Sequence, residues 1–198
     1  MHYMLLDVSS KLETPRLRLR PYKPGDGQWL HKVFQENRVH LWEAIEGVKV
    51  NFGLDLTNLE EAEIFVRRLE ADWITRQRFI FGVWEKSAHR YVGEIWIENR
   101  DWEIGLHEIG YYVVKEHLGQ GIATEATQAG LKFIFKDLKA NKVSLTCDED
   151  NASSYQVAER CGFSKEGCHR DEVKRSDGTL VSKLYYGMLK KEFEALKP

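Results

Sequence analysis

Cysteine is scarce in this sequence, with three residues among 198. Cys147, Cys161 and Cys168 form no C-x-x-C pair, and any disulfide would leave one thiol over. An odd number of separated cysteines is typical of reduced thiols inside the cell. We therefore expect free thiols and a cytoplasmic location.

Long apolar runs and strong charge are also absent. No apolar stretch is long enough to cross a membrane, and the first residues, MHYMLLDV, lack the basic lead-in of a signal peptide. The net charge of −2 is not that of a general nucleic-acid-binding protein. The seven histidines do not have metal-ligand spacing. With 42% hydrophobic and 30% charged residues, the chain is predicted to form one globular domain over residues 1–198, without a metal, nucleic acid or membrane partner.

The most informative stretch runs from Glu108 to Phe135. Its first part alternates in the manner of a β-strand, through Ile109, Tyr111 and Val113. Gly119 and Gly121 interrupt the pattern, and helical spacing then follows at Ile122, Ala126, Ala129 and Phe133. A two-glycine turn between a strand and a helix lets an anion approach the free N–H groups of the first helical turn. We expect a phosphate or pyrophosphate to bind there.

Several families use this arrangement, and two of them do not fit. A P-loop needs Lys and Ser or Thr after its second glycine, whereas Ile122 and Ala123 follow Gly121. The dinucleotide fingerprint needs a third glycine where Thr124 stands. A glycine-rich helix entry that binds nothing stays open as the structural alternative.

The segment Leu118-Gly119-Gln120-Gly121-Ile122-Ala123 resembles the acetyl-CoA loop of the GNAT acetyltransferase superfamily, whose pattern is Q/R-x-x-G-x-G/A. Leu118 departs from that pattern, but the family's loop grips pyrophosphate mostly through backbone N–H groups. The resemblance implies acetyl-CoA as cosubstrate, without a metal. It also implies that the backbone of Tyr112, Val113 and Val114 pairs with the pantetheine arm in the manner of an added strand.

Two further segments are similar to one branch of that superfamily. Glu13-Thr14-Pro15-Arg16-Leu17 and the residues up to Pro21 are typical of an amphipathic edge strand. They also look like the E-T-x-R-L-x-L-R opening of the RimL/RimJ-like ribosomal-protein N-terminal acetyltransferases. Glu108-Ile109-Gly110-Tyr111 is similar to a motif of the same branch, which implies that Glu108 is the general base. The alternative is a solvent-exposed carboxylate at a strand end.

The segment from Asn151 to Phe163 has the ends of a short helix, with Asn151 as N-cap and Gly162 as the C′ glycine. It resembles the family's N-x-x-S/A segment, which implies that Asn151 bonds the pantetheine arm and that a nearby hydroxyl faces the thioester sulfur. Ser154 is the preferred hydroxyl and Tyr155 the alternative. Both lie in the first helical turn, where the helix dipole favours a developing thiolate.

The remaining elements complete the order β-α-α-β-β-β-α-β-α-β-β. The first helix follows Asp26, and a capping box from Thr57 to Glu60 opens the second, with a buried stripe at Leu59, Ala62, Val66, Leu69 and Trp73. Further strands are predicted at 79–84, 91–97, 142–147, 164–174 and 180–189. The pieces 41–56 and 99–106 are predicted as irregular loops that line the acceptor pocket. This order matches the GNAT plan, an α+β fold with one mixed, mostly antiparallel twisted sheet and helices on both faces.

These parts support direct acetyl transfer to an amine without a covalent intermediate, and Cys147 is expected in the core. A free α-amine has a pKa of about 7.7–8.0, so about a tenth of it is neutral at pH 7, far more than for lysine. A carboxylate acting through water suits the α-amine better. This difference mildly favours an α-amino acceptor, and the resemblance to the RimL/RimJ-like branch implies that the acceptor is a protein N-terminus. A small amine such as a polyamine or an aminoglycoside, and a non-catalytic acetyl-CoA-binding regulator, stay open as alternatives, as does a homodimer.

Overall fold

The computed structural model describes residues 2–45, 56 and 58–196, with the backbone alone for 38–45. Eight strands form one sheet in the order β1-β2-β3-β4-β5-β6-β8-β7. The strands are β1 Leu12–Glu13, β2 Leu17–Pro21, β3 Arg78–Glu85, β4 Arg90–Asp101, β5 Leu106–Val113, β6 Lys142–Asp148, β7 Ser164–Lys174 and β8 Leu180–Leu189. The helices are α1 Gly27–Ile45, α2 Leu59–Ile74, α3 Ile122–Lys136, α4 Ala152–Arg160 and α5 Lys190–Ala195.

Strands β5 and β6 form the parallel pair of an otherwise antiparallel sheet. They pair only from Leu106 opposite Lys142 to Glu108 opposite Ser144. Beyond Glu108, β5 continues beside β4 and β6 continues beside β8. The sheet therefore opens between its two central strands.

The larger core lies between α3 and one face of the sheet. Ile95 and Ile109 are fully buried against this helix. A Cβ on Gly130 would lie 2.8 Å from Cδ1 of Ile109, so close packing of helix and sheet requires glycine there. Helix α4 contributes Val157 and Ala158 to the same core.

Helices α1 and α2 cover the other face and form a second core. Leu30 and Val66 pack there against Ile80 of β3. Helices therefore cover both faces of one mixed sheet, which confirms the predicted fold class.

A buried polar network lies beneath this second core. Tyr22 donates a hydrogen bond to the carboxyl group of Glu94, and the Tyr91 hydroxyl bonds those of Tyr22 and Tyr112. Glu94 is 1% exposed, and burial raises its pKa to about 8. The network connects Tyr22, directly after β2, with β4 and β5.

Several predicted elements have different limits. The first strand is two strands, because a turn at 14–16 separates β1 from β2. Helix α1 extends through Ile45 into the piece predicted as irregular, since neither glycine nor proline interrupts the sequence before Gly47. The rest of that piece, except residue 56, lies outside the described residues.

The second helix begins one residue later than the capping box predicted. Asn58 is the N-cap, and its side chain accepts a hydrogen bond from the Glu61 N–H group at 2.9 Å. Thr57 lies outside the described residues. Leu59 is 53% exposed, so its place in the buried stripe was wrong, whereas Ala62, Val66 and Leu69 are buried and Trp73 packs against the larger core.

Half of the predicted loop 99–106 is strand, namely residues 99–101 and 106. Asn99 pairs with His107 and Asp101 with Leu106, so the ladder between β4 and β5 continues over polar residues. Only residues 102–105 form the turn, with Gly105 in the left-handed region at a φ of 67°. Helix α5 was not predicted, and its Phe193 stacks on Phe135 of α3.

Candidate active site

A cleft of about 360 Å³ lies where the central strand leads into α3. Its walls are the end of β5, the glycine-rich turn, the start of α3 and the first turns of α4. Among the residues that the sequence predicted for the site, the cleft is lined by Tyr112, Val113, Leu118, Gly119, Gly121, Ile122, Ala123, Asn151 and Ser154. Residues from β5, α3 and α4, which are distant in sequence, thus share one cavity.

The glycine turn has the backbone geometry that an anion site needs. Gly119 and Gly121 have φ values of 72° and 76°, in the left-handed region. A Cβ on Gly119 would meet no atom within 4 Å, so open space adjoins the backbone. Within the described part of the chain, the N–H groups of residues 119–121 donate no hydrogen bond. With the first N–H groups of α3, they fit a pyrophosphate group.

Two predicted cofactor residues lie outside the lining of this cleft. Val114 lines a separate cavity beside α1, and its N–H group donates to Val92 at 3.0 Å. The side chain of Gln120 donates to the carbonyl oxygen of Glu116, and its own carbonyl accepts a hydrogen bond from Arg16. Both stay on the loop that borders the cleft.

Asn151 caps α4, as the sequence predicted. Its Oδ1 accepts hydrogen bonds from the Ser154 N–H group at 3.1 Å and from the Ser153 hydroxyl at 2.7 Å. Gly162 ends the helix at a φ of 89°. Because the cap uses Oδ1, the amide Nδ2 of Asn151 is the group available to a ligand in the cleft.

Ser154 lies in the cleft and contacts the central strand. The Tyr111 hydroxyl is 3.0 Å from Ser154 Oγ and donates to the Ser154 carbonyl oxygen at 2.9 Å. Burial raises the pKa of Tyr111 well above its ordinary value, so this phenol keeps its proton. The hydroxyl of Ser154 is thereby held at the N-terminus of α4, on the cleft wall.

Tyr155 occupies a different environment. It packs against the larger core and is not part of the cleft lining. Of the two hydroxyl groups considered from the sequence, only that of Ser154 lies on the cleft wall.

Glu108 stands at the last paired position of β5 before the central strands separate. Arg100 of β4 donates to Glu108 Oε2 through Nε at 2.8 Å and approaches it through Nη2 at 2.6 Å. Thr146 of β6 donates to Oε1 at 3.3 Å. The carboxylate is 21% exposed, so it is neither the free strand-end group of the alternative reading nor a fully buried one.

The side chains of Glu108 and Tyr111 point to opposite faces of β5. Ile109 belongs to the core under α3, so Glu108 points to the opposite face, whereas Tyr111 points with Ile109 towards α4. Glu108 and Ser154 therefore lie on different sides of the sheet. The paired part of β5 and β6 ends at Glu108, between these two sides.

Cys147 is 5% exposed in the larger core, as predicted. Burial raises the pKa of its thiol to about 11, which disfavours the thiolate. A nucleophilic role for this cysteine has no support.

Comparison with known proteins identifies the family. The model of the family described as "Acetyltransferase (GNAT) domain" matches residues 16–164. The chain belongs to the GNAT acetyltransferase family. It is an N-acetyltransferase, and acetyl-CoA is its cosubstrate. A Bacillus subtilis relative named "Putative ribosomal N-acetyltransferase YdaF" is 36% identical over 183 residues, which are 91% of this chain and 95% of the relative.

Solved structures show the same fold. RimJ of Mycobacterium smegmatis, in complex with CoA-disulfide, gives a TM-score of 0.80 at 23% identity, over 100% of this chain and 93% of that chain. RimL, a ribosomal L7/L12 α-N-protein acetyltransferase in complex with coenzyme A, gives a TM-score of 0.79 at 19% identity, over 90% of this chain and 97% of that chain. These two structures show the fold, and the relative YdaF places the chain in the RimL-like branch, as the sequence motifs indicated.

Several residues of the site were not found from the sequence. Tyr111 was read only as a strand residue, and Arg100 fell in a predicted loop. Gln156 and Arg160 of α4 also line the cleft, where Arg160 donates to Gln156 at 3.2 Å. Their spacing of four residues on a helix that begins at Asn151 could have indicated a shared face.

Proposed function

We propose that this protein transfers the acetyl group of acetyl-CoA to the α-amino group of a protein N-terminus. The position of Glu108 carries the proposal, because this carboxylate stands at the last paired position of β5 and β6, and Ser154 lies in the cleft on the other face of the sheet. The two groups approach one gap in the sheet from opposite faces. Such a gap suits a transfer in which cosubstrate and acceptor are bound together.

The glycine turn and Asn151 hold the cosubstrate in this proposal. The N–H groups of residues 119–121 would hold the pyrophosphate, and the β5–β6 ladder ends at Glu108, so residues 109–112 are not paired with β6. This part of the strand edge suits the amide groups of a pantetheine arm. Acetyl-CoA supplies the acetyl group as a thioester, which an amine attacks directly.

Glu108 would accept the proton of the acceptor amine. Arg100 and Thr146 fix the orientation of its carboxylate through hydrogen bonds. A carboxylate acting through water suits an amine that is already partly neutral. An α-amine, about a tenth neutral at pH 7, meets that condition, whereas a lysine amine does not.

Ser154 would donate a hydrogen bond to the departing thiolate. Its hydroxyl lies in the first turn of α4, where free N–H groups and the helix dipole favour negative charge. A thiol has a pKa near 8.5, so the thiolate needs stabilisation more than full protonation. One hydrogen bond suffices for this role.

The names of the relatives support an N-terminal acceptor. YdaF is named a ribosomal N-acetyltransferase and RimL an α-N-protein acetyltransferase. No helix among the described residues is long and apolar enough to cross a membrane.

A thiol-release assay with acetyl-CoA tests the proposal. We expect turnover with short peptides that carry a free α-amine, and no turnover with the same peptides when the N-terminus is blocked and an internal lysine is kept. Polyamines and aminoglycosides serve as competing acceptors. Faster turnover with these small amines would replace the proposed acceptor, and binding of acetyl-CoA without turnover of any amine would indicate a regulator.

A further inference from the structure

The motif Glu13-Thr14-Pro15-Arg16 has no part in the chemistry proposed above. In the fold it forms the end of β1 and the turn before β2. This turn lies against the N-terminus of α3, more than 100 residues further along the chain. Two of its side chains contact the acetyl-CoA loop or the first turn of α3.

Glu125, in the first turn of α3, is the centre of these contacts. The hydroxyl of Thr14 donates to its Oε1, and so does the Arg16 N–H group at 3.1 Å. The guanidinium of Arg16 donates from Nε to Oε2 at 2.6 Å. Every oxygen of this carboxylate therefore has a partner in the motif.

Arg16 also bonds the glycine turn directly. Its Nη1 donates to the carbonyl oxygen of Gln120 at 3.1 Å. In a planar trans peptide this carbonyl and the N–H group of Gly121 point in opposite directions. The hydrogen bond from Arg16 therefore directs the Gly121 N–H group away from the guanidinium.

The orientation of that peptide needs such a restraint. Gly119 and Gly121 flank Gln120, and glycine allows both signs of φ with little penalty. The peptide could rotate and present its carbonyl oxygen, in place of the N–H group, to an anion. A flipped peptide would remove one donor and add a repulsive dipole.

The negative charge of Glu125 also has to be neutralised if an anion is to bind at this helix end. Burial acts to raise its pKa, but hydrogen bonds from Thr14 and Arg16 hold that pKa below its ordinary value, so the group stays ionised. A carboxylate in the first turn of α3 would repel a pyrophosphate bound at that helix end. Arg16 neutralises it.

We propose that Arg16 is a positioning residue for acetyl-CoA, which fixes the Gln120–Gly121 peptide with its N–H group towards the cosubstrate and neutralises Glu125. This proposal rests on acetyl-CoA as cosubstrate and not on the identity of the acceptor. A binding measurement without any amine therefore tests it separately from the proposed function.

The experiment is calorimetric titration of coenzyme A into the Arg16→Gln, Arg16→Lys and Arg18→Gln variants. Arg18 is the matched control, because it lies two residues further along the chain, in β2, and pairs only with Glu13 among the described residues, at 3.3 Å. If the flipped peptide becomes the main form, the apparent affinity falls in proportion to the remaining competent fraction. We expect a loss of about tenfold or more for Arg16→Gln and none for Arg18→Gln.

Arg16→Lys separates orientation from charge, since lysine keeps the positive charge but cannot bond Glu125 and Gln120 in the same fork geometry. An intermediate loss of affinity supports both parts of the proposal. Wild-type affinity in this variant would overturn the peptide-orienting part. Melting without ligand serves as the control for the fold, and wild-type affinity in a folded Arg16→Gln variant would overturn the proposal entirely.

Discussion

The hydroxyl of Tyr111 lies 3.0 Å from Ser154 Oγ and donates to the carbonyl oxygen of the same serine at 2.9 Å. One phenol therefore connects the central strand to the first turn of α4. Burial keeps this phenol protonated, so it is a donor over the whole working pH range. The position of the serine hydroxyl on the cleft wall depends on this contact between β5 and α4.

Ser154→Ala should lower kcat by about 10²- to 10³-fold, the usual effect of one hydrogen bond to developing charge. The affinity for acetyl-CoA should change little, because the hydroxyl acts mainly as charge develops on sulfur. Tyr155→Phe is the matched control and should leave kcat nearly intact, since its ring packs against the core. Steady-state kinetics with one acceptor measures both. A larger deficit in Tyr155→Phe would reverse the assignment.

Tyr111→Phe should lower kcat by a smaller factor, about tenfold, because the serine hydroxyl stays but loses its anchor. The same substitution in a Ser154→Ala background should have no further effect. A double-mutant cycle measures this coupling directly. Additive losses would show that Tyr111 acts on the reaction independently of Ser154.

The local features of the site could be predicted from the sequence. Gly119 and Gly121 have the left-handed backbone that a two-glycine turn indicates, and Asn151 caps the helix that it was predicted to begin. These features depend on residues within a few positions of one another. The parallel register that ends at Glu108 is different, because no local pattern shows where two strands separate.

The partners of the functional groups could not be predicted. Arg100 lies eight residues before Glu108, in a polar segment whose composition favoured a loop, and only pairing of β4 with β5 makes it a strand. Arg16 reaches Glu125 across 109 positions. Contacts of this length are set by the packed fold, so side-chain type and spacing do not indicate them.

Glu108→Gln should lower kcat by about 10²-fold or more at neutral pH, within the range of general base catalysis. The deficit should shrink as pH rises, because the acceptor amine then loses its proton without help. Glu98→Gln is the matched control, since Glu98 lies opposite Glu108 and also approaches Arg100, at 3.6 Å. A pH–rate profile of both variants distinguishes a general base from a residue that positions the acceptor. A deficit that is independent of pH would indicate that Glu108 only positions the acceptor.

Gly119→Ala should weaken acetyl-CoA binding by about tenfold or more, because a methyl group would stand beside the N–H groups of the turn. The left-handed backbone adds a strain of about 1–2 kcal/mol. Gly178→Ala matches that strain, since Gly178 has a φ of 89° and open space around it in the turn between β7 and β8. Calorimetry measures the acetyl-CoA affinity of the Gly119→Ala and Gly178→Ala variants, and thermal melting measures their stability. Equal affinities would contradict the assignment of the turn.

Glu94→Gln should stabilise the protein at alkaline pH. Burial raises the folded-state pKa of Glu94 to about 8, above its ordinary value of 4.5. Between these values the folded state keeps a proton that the unfolded state has lost, so wild-type stability should fall with rising pH by up to about 1.4 kcal/mol per unit. Glutamine cannot ionise and can still accept the hydrogen bond from Tyr22. Urea denaturation from about pH 5 to about pH 9 should therefore show a stability difference that grows up to about pH 8 and then levels off. Parallel curves for the two proteins would mean that Glu94 is ionised in the folded state throughout this range.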